Sequence, residues 1–182
     1  MLAKSNYKHK SNITKLVGVE GEDGPIFIEH LKNLYTNRKS LVQVTVYPAG
    51  GGSVQDIINR TAKKFAMADY SQGFCIIDDD RDEWKRWQGK IKNDATEKGI
   101  QEIIALQPIC LECFLLGLLN EKTCNSSKDC KSAFKRIFKT ERKVDFDNQF
   151  IARRFPKQLI EQQRKKNQLL DYIIKTLFER GI

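Results

Sequence analysis

The sequence predicts an α/β fold: a central, mainly parallel sheet of about four strands flanked by helices, with a helical extension at the C-terminus. Three observations carry this. Short runs of β-branched residues alternate with stretches of helical periodicity. The connectors between them are short, as expected for parallel strands joined by crossover helices. After about residue 120 the strand signal stops and only helical patterns follow.

The elements follow in order. Residues 13–19 (ITKLVGV) read as a buried strand, and EGEDGP after them as a turn. Pro25 suits the first turn of a helix running to about Asn37, with Ile28, Leu31, Leu34 and Tyr35 on one face. LVQVTVY at 41–47 is a second strand. The connection PAGGGS leads to Ser53, a good N-cap for a helix from Val54 to about Ala68 whose Val54, Ile57, Ile58, Thr61 and Phe65 recur at helical spacing. FCII at 74–77 is a third strand and runs into DDDRDE. A polar helix covers Glu83 to Lys98, and EIIAL at 102–106 is the fourth strand. Pro108 then precedes an apolar helix, Leu111 to Leu119. Residues 128–139 and 157–180 read as basic amphipathic helices joined through VDFDNQFIARRF. The best boundary is CNSSKD, dividing a domain at 1–122 from a basic helical extension at 123–182.

Composition excludes several classes. With 182 residues, 40% hydrophobic and 30% charged, the chain is neither disordered nor fibrous. No apolar run approaches the ~18 residues needed to span a bilayer, so no membrane association is expected. The N-terminus lacks an apolar signal core, and five cysteines, an odd number, argue against a full disulfide framework. Both point to a reducing cytoplasm. The net charge of +9 favours an anionic partner such as nucleic acid. Its distribution says more. Residues 16–30 carry −4 and residues 65–83 carry −5, while residues 123–182 carry +8. Two acidic bursts in a basic field are what a metal site facing a polyanion needs.

Ligands of an open parallel α/β sheet bind outside the carboxyl ends of its strands. Glu20 lies at the end of the first strand, and Asp78, Asp80 and Asp82 lie at or just past the end of the third. If those strands are neighbours, the carboxylates converge on one rim. Clustered carboxylates repel unless a cation neutralises them, and hard oxygen ligands suit Mg²⁺ or Mn²⁺. Such an ion polarises a phosphoryl oxygen and activates water. An EF-hand is disfavoured, because Glu83 stands where that loop needs glycine and Gly89 where it needs the bidentate Glu. A haloacid-dehalogenase-like phosphatase expects its aspartate pair on the first strand.

Strand-Glu20-Gly21 followed by strand-Asp78-x-Asp80-Arg81-Asp82 resembles the TOPRIM domain of topoisomerases, primases and old-phage-exclusion nucleases. The wider pattern is similar to the RloB-like family, bacterial proteins found near restriction loci. Its VEGE turn corresponds to Val19–Glu22, and its later hydrophobic block with an embedded glutamate to Cys110–Leu116. The resemblance covers roughly residues 13–120. It implies a TOPRIM-like Rossmannoid fold and a Mg²⁺- or Mn²⁺-dependent nuclease that hydrolyses DNA or RNA phosphodiesters in antiviral defence or a restriction-linked locus. Glu20 would be a general base or metal-shell residue, Asp78 and Asp80 metal ligands, and Asp82 an outer ligand. Glu22 and Glu112 would bind a second metal or orient water. Nucleic acid, a partner ATPase and a second copy of the chain are the candidate partners. The chain departs from the family in reading GLLN where a histidine usually follows the block, and Leu106–Ile109 where the family has a Ser-Asn-Pro lead-in.

The basic residues Arg81, Arg153, Arg154, Arg164, Lys165 and Lys166 are candidates for phosphate contact. A solvated helix face explains the tail equally well. Glu112, in an otherwise apolar helix, is either functional or held by a structural salt bridge. Cys110-x2-Cys113 has zinc-ligand spacing, but Cys124-x5-Cys130 does not, and buried free thiols are the expected state. Gly50–Ser53 resemble a phosphate cradle, yet no Gly-Lys-Ser/Thr follows, so a flexible turn is expected. His9 and His30 are too far apart for a histidine-based site. Trp84 and Trp87 stack on bases or pack against the helix's neighbours. A non-catalytic module that grips nucleic acid or an ATPase, its acidic site degenerate, is the alternative to a nuclease. A phosphotransfer receiver domain is a third reading.

Overall fold

A computed structural model describes residues 12–37, 40–138 and 146–179. The alternation of strands and helices is borne out, and the sheet is parallel throughout. Its strands are β1 (Ile13–Glu20), β2 (Val42–Gly50), β3 (Gln72–Asp78) and β4 (Ile100–Leu106), in the order β2-β1-β3-β4. Between and after them run α1 (Asp23–Tyr35), α2 (Val54–Phe65), α3 (Asp82–Glu97), α4 (Leu111–Leu118), α5 (Ser127–Phe138), α6 (Asn148–Arg154), α7 (Lys157–Arg164) and α8 (Gln168–Phe178). Among the described residues no helix is long and apolar enough to cross a membrane.

Side chains alternate across the sheet and build two layers. On one face Val17, Val19, Phe74, Ile76, Ile104 and Leu106 meet α1, α4 and the helices after residue 123. On the other, Cys75, Ile77 and Ile103 meet Val54, Ile57 and Ile58 of α2 and Trp84, Ile91 and Ala95 of α3. The C-terminal helices thus share the larger core: Phe155, Ile160, Ile173, Ile174 and Leu177 are fully buried in it. α2 lies so close to β1 that a Cβ on Gly18 would sit 1.9 Å from Thr61 Oγ1. Lys15, buried on β1, donates from Nζ to the backbone oxygens of Thr176 and Glu179, satisfying carbonyls that the end of α8 leaves open.

Three element boundaries and the state of two cysteines differ from expectation. β2 continues through Pro48 to Gly50, which an edge strand permits because the missing N–H need not face a partner. The segment 157–180 is two helices, since Asn167 accepts the N–H of Leu170 and starts α8 afresh. Asp147 accepts the N–H of Phe150 at 2.7 Å and starts α6 inside the predicted connector. Cys113 and Cys130 are paired as a disulfide rather than free, although all of Cys110, Cys113 and Cys130 are buried as expected. The last residue of each predicted basic helix and the start of VDFDNQFIARRF lie outside the described residues.

Candidate functional site

The strand order places the point where the sheet's winding reverses between β1 and β3. That reversal opens a crevice at the carboxyl ends of the two strands. Glu20 ends β1 and Asp78 ends β3, and the neighbouring pairing registers Val19 with Ile76. Gly21 follows Glu20 at φ +78°, a conformation that glycine adopts without strain. It turns the chain sharply enough to start α1 beside the crevice.

Glu20 and Asp78 are held in detail. One Glu20 carboxylate oxygen accepts the backbone N–H of Asp78 at 2.9 Å. The other accepts from the Arg81 guanidinium. Asp78 Oδ1 accepts the N–H of Leu111 at 3.0 Å, so it occupies the first turn of α4, where the helix leaves donors free. Burial, with the Glu20 charge next to it, still pushes the Asp78 carboxyl up to about 7; the Leu111 bond opposes this and Asp80 and Glu112 add to it. Asp23 is raised too, first by burial and then by Glu112 and Glu22, with Lys131 opposing.

These groups surround a pocket of about 240 Å³ whose polar lining is Glu20, Glu22, Asp23, Asp78, Glu112 and Lys131. Four predicted residues, Glu20, Glu22, Asp78 and Glu112, therefore share one cavity. Asp80 stands beside it, its carboxylate 3.9 Å from Arg81 Nε, which is itself buried without a hydrogen-bond partner. Asp82 is the exposed first residue of α3 and does not line the pocket. Asp23 and Lys131 were not anticipated. Asp23 looks in sequence like an ordinary first-turn acid, and Lys131 reaches the pocket only because α5 folds back.

The donor set suits a hard cation but is not a closed cage. Among the described residues, the only group of three or more such ligand atoms within 4.8 Å of one another is Cys110, Cys113 and Cys130. The carboxylates do not converge that tightly. Mg²⁺ commonly keeps several waters and takes one or two carboxylates together with substrate phosphates, and Glu20 and Asp78 meet that demand.

The other candidates divide. Arg153 and Arg154 are exposed at the end of α6, with the Arg154 guanidinium 5.2 Å from the Phe138 ring. Lys165 and Lys166 are exposed in the turn between α7 and α8. Arg164 is occupied internally: it bridges Asp171 at 2.6 Å and Glu179 at 2.7 Å and stacks on Tyr35. Trp84 is buried, whereas Trp87 is 60% exposed at a kink in α3. The N-terminus of α2 is closed by its own neighbours, through a Ser53–Asp56 capping box and a bond from the Val54 N–H to Glu83. The PAGGGS segment is thus a capped turn. His30 is a core residue whose Nε2 lies 2.7 Å from the Phe155 carbonyl.

No protein-family model matches the chain, and neither a curated protein nor a solved structure matches it significantly.

Proposed function

We propose that this protein is a metal-dependent nuclease of TOPRIM type, hydrolysing nucleic-acid phosphodiesters with Mg²⁺ or Mn²⁺ in bacterial antiviral defence or a restriction-linked setting. The observation that carries the reading is the pair Glu20 and Asp78 at the reversal of the sheet, opening on a pocket lined by five carboxylates and one lysine. A carboxyl pushed up to about 7 by burial and a second carboxylate marks a site with more negative charge than its surroundings neutralise, which a bound cation would balance.

In this reading Glu20 and Asp78 would hold the ion, and Asp80 would act from the adjoining turn. When bound, the ion polarises a phosphoryl oxygen and activates water. Glu22 and Glu112, which line the same pocket, would orient that water or bind a second ion. Lys131 and Arg81 meet the phosphate, and Arg153, Arg154, Lys165 and Lys166 offer sequence-independent backbone contact. The test is cleavage of DNA and tRNA by the purified chain with Mg²⁺ or Mn²⁺. Glu20→Ala and Asp80→Ala are expected to abolish it, and variants that cut as well as the parent would sink the proposal.

One observation favours a second reading. Arg81 already neutralises Glu20, whose side chain is 6% exposed, so the protein supplies its own counter-ion. A module that binds nucleic acid or a partner ATPase, with a degenerate acidic site, would show no cleavage but salt-sensitive binding. Deleting the tail is a poor test of it, because Phe155, Ile160, Leu170, Ile173 and Leu177 belong to the core. Lys165→Glu with Lys166→Glu is the cleaner one, since both residues are exposed.

A further inference from the structure

Four of the five cysteines fall in one stretch of chain, 110–130, that folds as the α4–α5 hairpin. Cys110 precedes the first turn of α4 and Cys113 lies within it, while Cys130 faces them from α5. All three are fully buried, and their sulfurs lie within 4.8 Å of one another. Cys124, on the connecting loop, packs on the same cluster, and its carbonyl oxygen lies 3.6 Å from Cys113 Sγ and 3.7 Å from Cys130 Sγ. The fifth cysteine, Cys75, is remote, on the far face of the sheet.

A disulfide engages two sulfurs, and here it leaves a third buried beside the pair. A tetrahedral zinc ion engages all of them: Zn–S bonds of about 2.3 Å place sulfurs about 3.8 Å apart, inside the observed limit. Two hydrogen bonds also reach the unpaired sulfur. The Cys113 N–H and the Ser127 hydroxyl both donate toward Cys110 Sγ, the kind of outer bond that orients a metal ligand. Sulfur donors also select the ion, since soft thiolates take zinc and leave magnesium to the carboxylates.

We propose that the reduced protein carries a structural Zn²⁺ site at the α4–α5 hairpin, with Cys110, Cys113 and Cys130 as ligands and the adjoining Cys124 loop supplying the fourth position. From the disulfide form, a thiol or phosphine reductant first delivers two electrons and two protons to Cys113 and Cys130; on binding, the thiol protons then pass to solvent with no further redox change. The site is independent of the nuclease reading but adjoins the same pocket. Leu111 and Glu112 lie between the first two ligands and Lys131 directly follows the last, and all three line the acidic cavity. The metal would therefore fix the N-terminus of α4 against Asp78.

The test uses the full chain, expressed with zinc in the medium and purified with a phosphine reductant. Metal analysis should find one zinc per chain. Replacement by Co²⁺ should give thiolate-to-metal charge transfer and the intense visible bands of a tetrahedral ion. Cys110→Ser and Cys130→Ser should weaken zinc binding by at least ~100-fold, with Cys75→Ser unchanged. The wild-type measurements stand even where a variant does not fold. Zinc well below one equivalent, a cobalt spectrum without thiolate bands, or equal loss in Cys75→Ser would each overturn the proposal. So would a reduced wild-type protein that takes up no added Zn²⁺.

Discussion

The Glu20 carboxylate accepts the backbone N–H of Asp78 at 2.9 Å, so an acid from β1 is bonded to the residue that carries the acid of β3. The two negative side chains are thereby held close in a half-enclosed pocket, at a cost to stability that depends on pH.

Asp78 sets the sign of that dependence. Its carboxyl is raised from 3.8 to about 7 on folding, so between those values the folded chain keeps a proton the unfolded chain has lost. Stability from this group is present at low pH and falls as pH rises toward 7. Asp78→Asn keeps an acceptor for the Leu111 N–H and removes the titration. It should gain on the wild type by about 2–4 kcal/mol between pH 4 and pH 8. Urea unfolding at both pH values, with chelator present, measures the gain, and parallel curves for the two proteins would refute it.

Arg81 holds the position of a cation. Its side chain is 36% exposed while that of Glu20 is 6%, so Arg81→Gln strands a buried carboxylate. Allowing for solvent at the arginine, the loss should be about 2 kcal/mol without metal. The same change removes a competitor for Mg²⁺, which should bind roughly tenfold tighter by calorimetry. Unchanged affinity would mean the ion does not use Glu20.

Gly18 is set by distance. A Cβ there meets Thr61 Oγ1 at 1.9 Å, and the threonine is pinned by its own bond to the Ile57 carbonyl at 2.8 Å. Gly18→Ala should cost about 3 kcal/mol. Thr61→Ala in the same chain should recover part of that, read as a coupling term in a double-mutant cycle. Additive losses would show that α2 shifts to relieve the contact.

Much of this was legible in the sequence, for local reasons. β1 and β3 are short apolar runs that end in acids, and adjacency in the sheet was enough to bring Glu20 and Asp78 together. The parts that escaped depend on other signals. Asn167 and Asp147 are caps visible in sequence, but each sits among polar residues that blur the helix start. Lys131 owes its place to packing across the α4–α5 hairpin, which no spacing encodes. The cysteines escaped because the spacing 124–130 fits no familiar ligand pattern, while the folded hairpin brings Cys130 to Cys110 and Cys113 all the same. Asp82 shows the reverse: it continues the acidic motif in sequence, yet the start of α3 carries it out of the pocket.

The Lys15 ammonium joins the first described strand to the last helix, across 161 residues. During synthesis, Lys15 of β1 emerges 161 residues before Thr176, whose carbonyl receives it. Part of one apolar face of the sheet waits with it, because α1 and α4 cover that face only together with the helices after residue 123. Completion of this fold on the ribosome must therefore follow release of residues through Phe178, and a chain stalled before α8 presents a half-covered sheet to chaperones and proteases.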